Sequence, residues 1–146
     1  MVFDITNADL INSKEVVFHD DEILDEVSFD RNPDISELVI NCERCGGWNC
    51  KMFDDEFGKR PYNYKIIFQG VLGFDFSNMY AFGTSSCILG INYRKDEECV
   101  LLPRLLKKQT NLWKGNKGNY IEIHIDTNGA DEITVVCERM IIEKTQ

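Results

Sequence analysis

Residues 120–142 have the sequence YIEIHIDTNGADEITVVCERMII and contain the clearest strand pattern of this chain. Between residues 120 and 126 every second residue is isoleucine, which is the period of a strand with one buried face. Asn128-Gly129 follows, a dipeptide that tight hairpin turns favour, and the mostly apolar segment 133–142 comes after it. These residues therefore predict an antiparallel hairpin. Its polar face, which includes His124, is expected to be solvated.

The segments before this hairpin are also mostly β in character. Apolar residues alternate or dominate in 16–30, 36–43, 62–76 and 86–93. We expect the first two segments to pair as a hairpin, with a bend or bulge near the acidic residues around Asp21. Gly70 and Gly73 predict a second bend, inside the third segment.

Helical character is weaker. Residues 98–113 have leucines on one side and basic residues on the other, and they predict one short helix despite Pro103. Residues 46–61, rich in Gly, Asp and Lys, predict a long connection. We therefore expect a single domain over residues 1–146 of the α+β class, mostly β. Antiparallel strands would build a sandwich or a strongly curved sheet with one short helix.

The composition also predicts where the protein works. No apolar run approaches the ~20 residues of a membrane-spanning helix. The first residues have neither the basic nor the apolar region of a secretory signal. These observations predict a cytoplasmic protein, whose six cysteines are then free thiols or metal ligands rather than disulfides.

Negative charge is concentrated in the first part of the chain. Residues 1–60 contain 15 Asp/Glu and 6 Lys/Arg, and residues 61–146 contain 10 of each, so the net charge of −9 arises before residue 61. A one-sided negative field repels nucleic acid and anionic membranes and attracts a basic partner. We predict that two acidic clusters and an aromatic anchor contact this partner. The predicted residues are Asp21, Glu22, Asp25, Glu26, Asp54, Asp55 and Glu56, with Trp48 or Phe53 as the anchor.

Two other groups of residues offer an alternative. Cys42 and Cys45 have the spacing of a zinc knuckle and Cys50 follows, but the fold would have to supply a fourth ligand. Otherwise Cys42 packs inward as a small hydrophobe. His19 is expected to be buried and hydrogen-bonded to the backbone. We assign no metal, cofactor or catalytic residue on these patterns.

Residues 18–29 carry a His-Asp pair followed by spaced apolar residues, Phe18-His19-Asp20-x-x-Ile23-x-x-x-Val27-x-Phe29. Strand-like segments at 38–40, 64–71, 120–126 and 133–140 follow in order. This pattern resembles a group of small bacterial immunity proteins of polymorphic toxin systems. The resemblance implies that the chain binds a toxin and that the His-Asp pair is a marker of the fold rather than a catalytic site.

Charge and resemblance predict the same function. Many secreted toxins are basic nucleases, and an acidic inhibitor associates with such a partner much faster than a neutral one. We therefore expect a cytoplasmic immunity protein, not an enzyme, that neutralises a cognate basic toxin domain. One alternative is a small metal- or ligand-binding domain or enzyme, with a pocket near His19 and Cys42, Cys45 and Cys50. Another is a structural or assembly protein that self-associates through the edges of its sheet.

Overall fold

The computed structural model describes residues 1–19, 21–24, 28–31, 36–45, 50–77, 87–109, 119–128 and 132–145. The strands in these ranges are β1 Val2–Asp4, β2 Asp21–Ile23, β3 Ser28–Arg31, β4 Ser36–Arg44, β5 Tyr62–Gln69, β6 Gly73–Ser77, β7 Cys87–Arg94, β8 Ile121–Thr127, β9 Glu132–Cys137 and β10 Arg139–Lys144. The helices are α1 Lys51–Phe57 and α2 Leu101–Gln109, with 3-10 turns at Ala8–Asn12 and Asp96–Glu98. Neither helix is long and apolar enough to cross a membrane.

The strands form one antiparallel sheet in the order β1-β10-β5-β4-β2-β7-β8-β9-β6, with β3 paired to β4 beside β2. In a flat sheet, β5 and β9 would be about 24 Å apart, because they are five places apart in this order. Cα atoms of the two strands nevertheless come within 8 Å of each other. The sheet is therefore strongly curved around the core, and the mostly β, α+β class is confirmed.

One long bent ribbon produces this curvature. Segments 62–77 and 132–144 pair along their lengths, β5 with β10 and β6 with β9. The two segments bend at the same position along the ribbon. At this position Gly70 has a φ of 64°, and the Glu138 N–H donates to the carbonyls of Gln69 and Gly70. A Cβ on Gly70 would lie 2.6 Å from the Glu138 side chain. The predicted bend at Gly70 is confirmed, and the predicted strand 133–142 divides at Glu138.

The N-terminal hairpin is confirmed in a shortened form. Both β2 and β3 pair antiparallel with β4. Ile23 pairs with Cys42 and Ser28 pairs with Val39, so the register on β4 shifts by two residues between these two pairs. Residues 25–27, where the predicted bend or bulge falls, lie outside the described part of the chain. Residues 16–19, which we predicted to be extended strand, precede β2 without joining the sheet.

The segment predicted as a long connection contains α1, so the prediction of one helix is wrong. Phe53 and Phe57 are four residues apart, lie on the same side of α1 and are buried in the core. The Phe53 ring lies 5.0 Å from the ring of Phe18. Gly58, with a φ of 92°, ends the helix as glycine commonly does. Aromatic packing holds α1, which is too short to be stable alone.

The second helix, α2, covers one end of the outer face of the sheet. Leu101 and Leu105 pack with Tyr120 and Val136 in a small second core. A Cβ on Gly73 would lie 2.7 Å from a terminal methyl group of Leu105, so a larger residue here would displace the Leu105 side chain. The predicted helix is thus present, and its proline lies in the first turn, where a missing N–H removes no helical hydrogen bond.

The polar face of β8 is covered as well, so our prediction that it is solvated is wrong for two residues. Glu122 is 0% exposed and His124 is 8% exposed. The Glu122 carboxylate accepts the N–H groups of Val100 (2.9 Å) and Leu102 (2.6 Å), where α2 begins. Glu122 therefore caps a helix that lies above it, an arrangement that alternation along β8 does not reveal.

Candidate functional site

Asp21, predicted to contact a partner, is buried in the core. Its carboxylate accepts hydrogen bonds from the Arg44 guanidinium at 3.0 Å (Nε) and 2.8 Å (Nη2) and from the Tyr64 hydroxyl. The side chains of Asp21 and Arg44 are 1% and 0% exposed. Burial raises the pKa of Asp21, against the opposing effect of these donors. The assignment of Asp21 to the partner surface is wrong, because its carboxylate neutralises a buried cation.

The predicted anchor Phe53 and the acid Asp54 are also engaged inside the molecule. Phe53 is 1% exposed, so its assignment as an exposed anchor is wrong. The Asp54 carboxylate accepts hydrogen bonds from Arg60 (2.7 Å) and from the Tyr62 hydroxyl (3.0 Å). The hydrogen bond from Arg60 lowers the pKa of Asp54 below its ordinary value, and Tyr62 acts in the same direction. Asp54 therefore fastens α1 to the start of β5.

The other acids of α1 remain on the surface. Asp55 is exposed, and the Glu56 carboxylate is exposed and lies 3.4 Å from the N-terminal amine of Met1. Three further predicted contact residues lie outside the described part of the chain. They are Asp25, Glu26 and Trp48.

The three clustered cysteines face different surroundings. Cys42 is buried in the core, which confirms its role as a small hydrophobe, and the Cys50 thiol donates to the Glu15 carbonyl at 3.0 Å. Cys45 is exposed, and its thiol donates to the carboxylate of Glu43, which raises the pKa of Cys45 to about 11. Within the described residues, these cysteines belong to no group of three ligand atoms close enough for one metal ion.

His19 is held as predicted but is less buried. Its Nδ1 lies 3.0 Å from the carbonyl of Leu89, and the residue is half-buried. This confirms the hydrogen bond to the backbone.

The outer face of the sheet carries a separate group of carboxylates, which we call the acidic face. Its members lie on β4, β2, β8, β9 and β6 and are half-buried or exposed: Glu43, Glu22, Asp126, Glu132 and Asp75. Glu22 lies directly opposite Glu43, and Asp126 lies directly opposite Glu132. In the described part of the chain, Glu22, Asp75 and Glu132 form no ion pair.

His124 lies at the centre of the C-terminal half of this face. Its Nε2 is 2.9 Å from Asp126 Oδ1, and its Nδ1 is 3.0 Å from the hydroxyl of Thr134 on β9. One ligand atom each from His124, Asp126 and Glu132 lies within 4.8 Å of the other two. A buried imidazole, a half-buried carboxylate and an exposed carboxylate thus converge from both strands of the hairpin.

An open depression of about 730 Å³ lies beside this cluster. Its lining residues are Ser77, Leu89, Gly90, Asn92, Asp126, Thr127 and Glu132. Gly90 is paired with Asp126 across β7 and β8, and a Cβ built on it would meet open space. The depression therefore exists partly because Gly90 has no side chain. Its carboxylates suit a cation or a hydrogen-bond donor.

The sequence contains the signals for this cluster in two separate patterns. Alternation places His124 and Asp126 on one face of a strand, and the predicted hairpin brings Glu132 close to Asp126. Acidic and basic residues are equal in number after residue 60, so a count of charges does not mark this part of the chain as acidic. Among its bases, Lys144 lies at the end of β10, whereas Lys107 and Lys108 lie on α2, which packs against β6, β8 and β9.

Fold and site together define a strongly curved antiparallel β protein with an acidic outer face around a buried histidine. The chain matches no protein-family model, and no match is found among curated proteins or solved structures. Its function must therefore be inferred from the geometry and charge of the acidic face.

Proposed function

We propose that this protein is a cytoplasmic immunity-type inhibitor that binds a basic toxin domain without turnover and uses the acidic face as its docking surface. The observation that supports this proposal best is the set of carboxylates on one side of the sheet. Within the described residues, Glu22, Asp75 and Glu132 have no cationic partner of their own. The resemblance at residues 18–29 supports the immunity class.

The arrangement of these charges has a cost that binding would offset. Glu22 and Glu43 are directly opposite each other across β2 and β4, and like charges in that position destabilise a sheet. Lys or Arg side chains of a partner would relieve this repulsion. Their long-range attraction to the same face would also accelerate association, most strongly at low salt.

The acidic face differs from the two acidic clusters that the sequence predicted as the docking surface. Of the residues predicted to contact a partner, Glu22 belongs to the acidic face, whereas Asp55 and Glu56 form a separate exposed pair on α1. The other members of the face are Glu43, Asp75, Asp126 and Glu132. Carboxylates on a broad sheet face could occupy a groove in which a nuclease toxin holds substrate phosphates.

Comparative affinity capture from the native host tests this function. The baits are the unmodified protein, a Glu22→Lys/Glu132→Lys variant, and a Glu97→Lys/Glu98→Lys variant with the same net charge. Glu97 and Glu98 are exposed acids in the 3-10 turn after β7, outside the acidic face. We expect the unmodified and control baits to retain one basic protein at low salt and to lose it as salt rises.

The acidic-face variant should capture the same protein at least about tenfold less well, since each lost charge pair slows association and removes favourable contacts. The purified chain should then neutralise the toxicity of the captured partner at a 1:1 molar ratio. Equal capture by both charge-matched variants would contradict the assignment of the docking surface. A captured protein whose toxicity is unchanged at saturating inhibitor would contradict the immunity function.

One observation favours a second function, that of a small ligand-binding domain. The depression beside His124 is open to solvent and is lined by both polar and apolar residues. It does not lie at the cysteine cluster, where the alternative predicted a pocket, and among its lining residues Leu89 connects it to His19. A screen for ligands that raise the melting temperature, repeated with Gly90→Leu to fill the depression, would detect this function.

A further inference from the structure

We infer that His124, Asp126 and Glu132 form a binding site for a divalent transition-metal ion. The three residues come from the two strands of the hairpin β8–β9, with His124 and Asp126 two residues apart on one face and Glu132 directly opposite Asp126. Rigid paired strands therefore set the spacing of the ligands. This site requires no protein partner, so it does not depend on the proposed function.

The distances suit one shared ion. The three ligand atoms lie within 4.8 Å of one another. Bonds of about 2.0–2.2 Å from a metal ion to nitrogen or oxygen place any two ligands no more than about 4.4 Å apart. A small rotation of Glu132 closes the difference, and this side chain is free to rotate because it is exposed and at the end of β9.

The histidine is already oriented for this role. The hydroxyl of Thr134, opposite His124 on β9, lies 3.0 Å from Nδ1 and fixes the plane of the ring. Metal-binding histidines usually have such a partner on the nitrogen that does not bind the metal. When Nδ1–H donates to Thr134, Nε2 and Asp126 Oδ1 are two acceptors 2.9 Å apart. A shared proton or a metal ion stabilises that arrangement.

Charge and access favour the ion over an isolated His–Asp pair. The carboxylate of Glu132 has no cation within ion-pair distance in the described part of the chain. Gly90 leaves the space next to Asp126 open, and the depression has room for water molecules on the solvent side of a bound ion. Three protein ligands on one side and water on the other would leave coordination positions available to a further ligand.

The donor atoms select the class of metal. One imidazole nitrogen and two carboxylates suit Mn²⁺, Fe²⁺, Co²⁺ or Zn²⁺, whereas Ca²⁺ and Mg²⁺ favour sites made of oxygen alone. Because soft thiolates prefer Zn²⁺ and Cu⁺ to Mn²⁺, the cysteines of this chain compete little for manganese. Mn²⁺ is therefore the best probe.

Titration with Mn²⁺, followed by the loss of the electron paramagnetic resonance signal of the free ion, tests the site. The full chain should bind one Mn²⁺. Glu132→Gln, which changes an exposed side chain, should weaken binding at least about tenfold, and Thr134→Val should weaken it by about tenfold through loss of ring orientation. His124→Gln should abolish saturable binding; far-UV circular dichroism verifies that each variant is folded.

Matched controls make the result decisive. His19→Gln removes the other histidine of the chain, and Glu97→Gln removes an exposed carboxylate outside the face; both should keep the affinity within about twofold. The absence of saturable Mn²⁺ binding would overturn the inference, as would equal weakening by Glu132→Gln and Glu97→Gln. Neither outcome bears on capture of a basic partner, because that experiment contains no added metal and uses salt dependence as its readout.

Discussion

At the scale of single residues, the acidic side chains of the first part of the chain have different fates. Asp21 neutralises Arg44 in the core, Asp54 binds Arg60 on the side of α1, and Asp55 is exposed to solvent. Their sequence contexts are similar, but their energetic roles are not. A buried carboxylate next to a buried guanidinium must remain paired, since either charge alone in the core is costly.

The Asp21–Arg44 pair gives the first prediction. Arg44→Ala should destabilise the protein by about 3–5 kcal/mol, because it leaves the Asp21 carboxylate buried without its cation. The double variant Asp21→Asn/Arg44→Met should lose less stability than Arg44→Ala, because no buried charge remains. Urea unfolding of the three proteins measures both effects. A double variant less stable than Arg44→Ala would contradict this account.

Asp54 gives a prediction about pH. Arg60 lowers the pKa of Asp54 in the folded state. Ionised Asp54 therefore stabilises the fold at any pH above the pKa that this carboxyl has in the unfolded chain. Asp54→Asn should therefore cost about 1 kcal/mol at pH 7. The cost should shrink as the pH falls below about 4, where the carboxylate becomes protonated. Unfolding of both proteins across pH 3–7 tests this, with Asp55→Asn as a control; a cost that does not change with pH would contradict it.

At the scale of elements, both helices depend on partners that are distant in sequence. The seven-residue helix α1 is held by aromatic packing and by Asp54, whereas α2 begins at the buried carboxylate of Glu122 on β8. Gly73 then allows Leu105 to approach the sheet closely. Propensity alone would leave helices of this length unstable, so tertiary contacts decide where they form.

Glu122 gives the prediction for α2. Glu122→Ala should expose the unsatisfied N–H groups of Val100 and Leu102 and leave Arg94 without its carboxylate. We expect a loss of about 1–2 kcal/mol, in the range for removal of a helix cap. Hydrogen exchange should accelerate in residues 101–109 more than in β5, and mass spectrometry of the exchanged peptides can measure this. Uniform acceleration over the whole sheet would show that Glu122 supports the core rather than the helix.

At the scale of the whole molecule, the curved sheet separates an apolar inside from a charged outside. The bent ribbon of β5–β6 and β9–β10 brings the inner faces together around one core. The outer face then displays carboxylates from strands far apart in sequence, such as Glu22 on β2 and Glu132 on β9. The resulting field is a property of the folded chain rather than of any one segment.

Charge reversal on this face should have opposite effects on stability and on binding. Glu22→Lys replaces a like-charged pair with an opposite pair next to Glu43, so we expect a gain of about 0.5 kcal/mol in the free energy of unfolding. The same change should slow association with a basic partner at low salt. Urea unfolding and stopped-flow association measure the two effects. A variant that loses stability, or that associates at an unchanged rate, would contradict the corresponding half of this prediction.

Much of the architecture could be predicted from periodicity. The alternation around His124, the bend at Gly70 and the pairing of the segments around Ile23 and Cys42 are all present in the structure. These features depend on local rules, namely a period of two and the turn preferences of particular residues. The helix α1 was missed because its two phenylalanines become informative only when the core that receives them is known.

The strand-rich antiparallel class, the main bend and the overall negative charge follow from the sequence alone, because alternation and glycine act locally and the charges of ionisable residues add up over the chain. Tertiary structure alone decided which carboxylates are buried, paired or displayed. It buried Asp21 beside Arg44, used Glu122 to begin α2 and brought Glu132 to His124. Burial and pairing depend on distances between segments, and those distances exist only after the sheet has curved around its core.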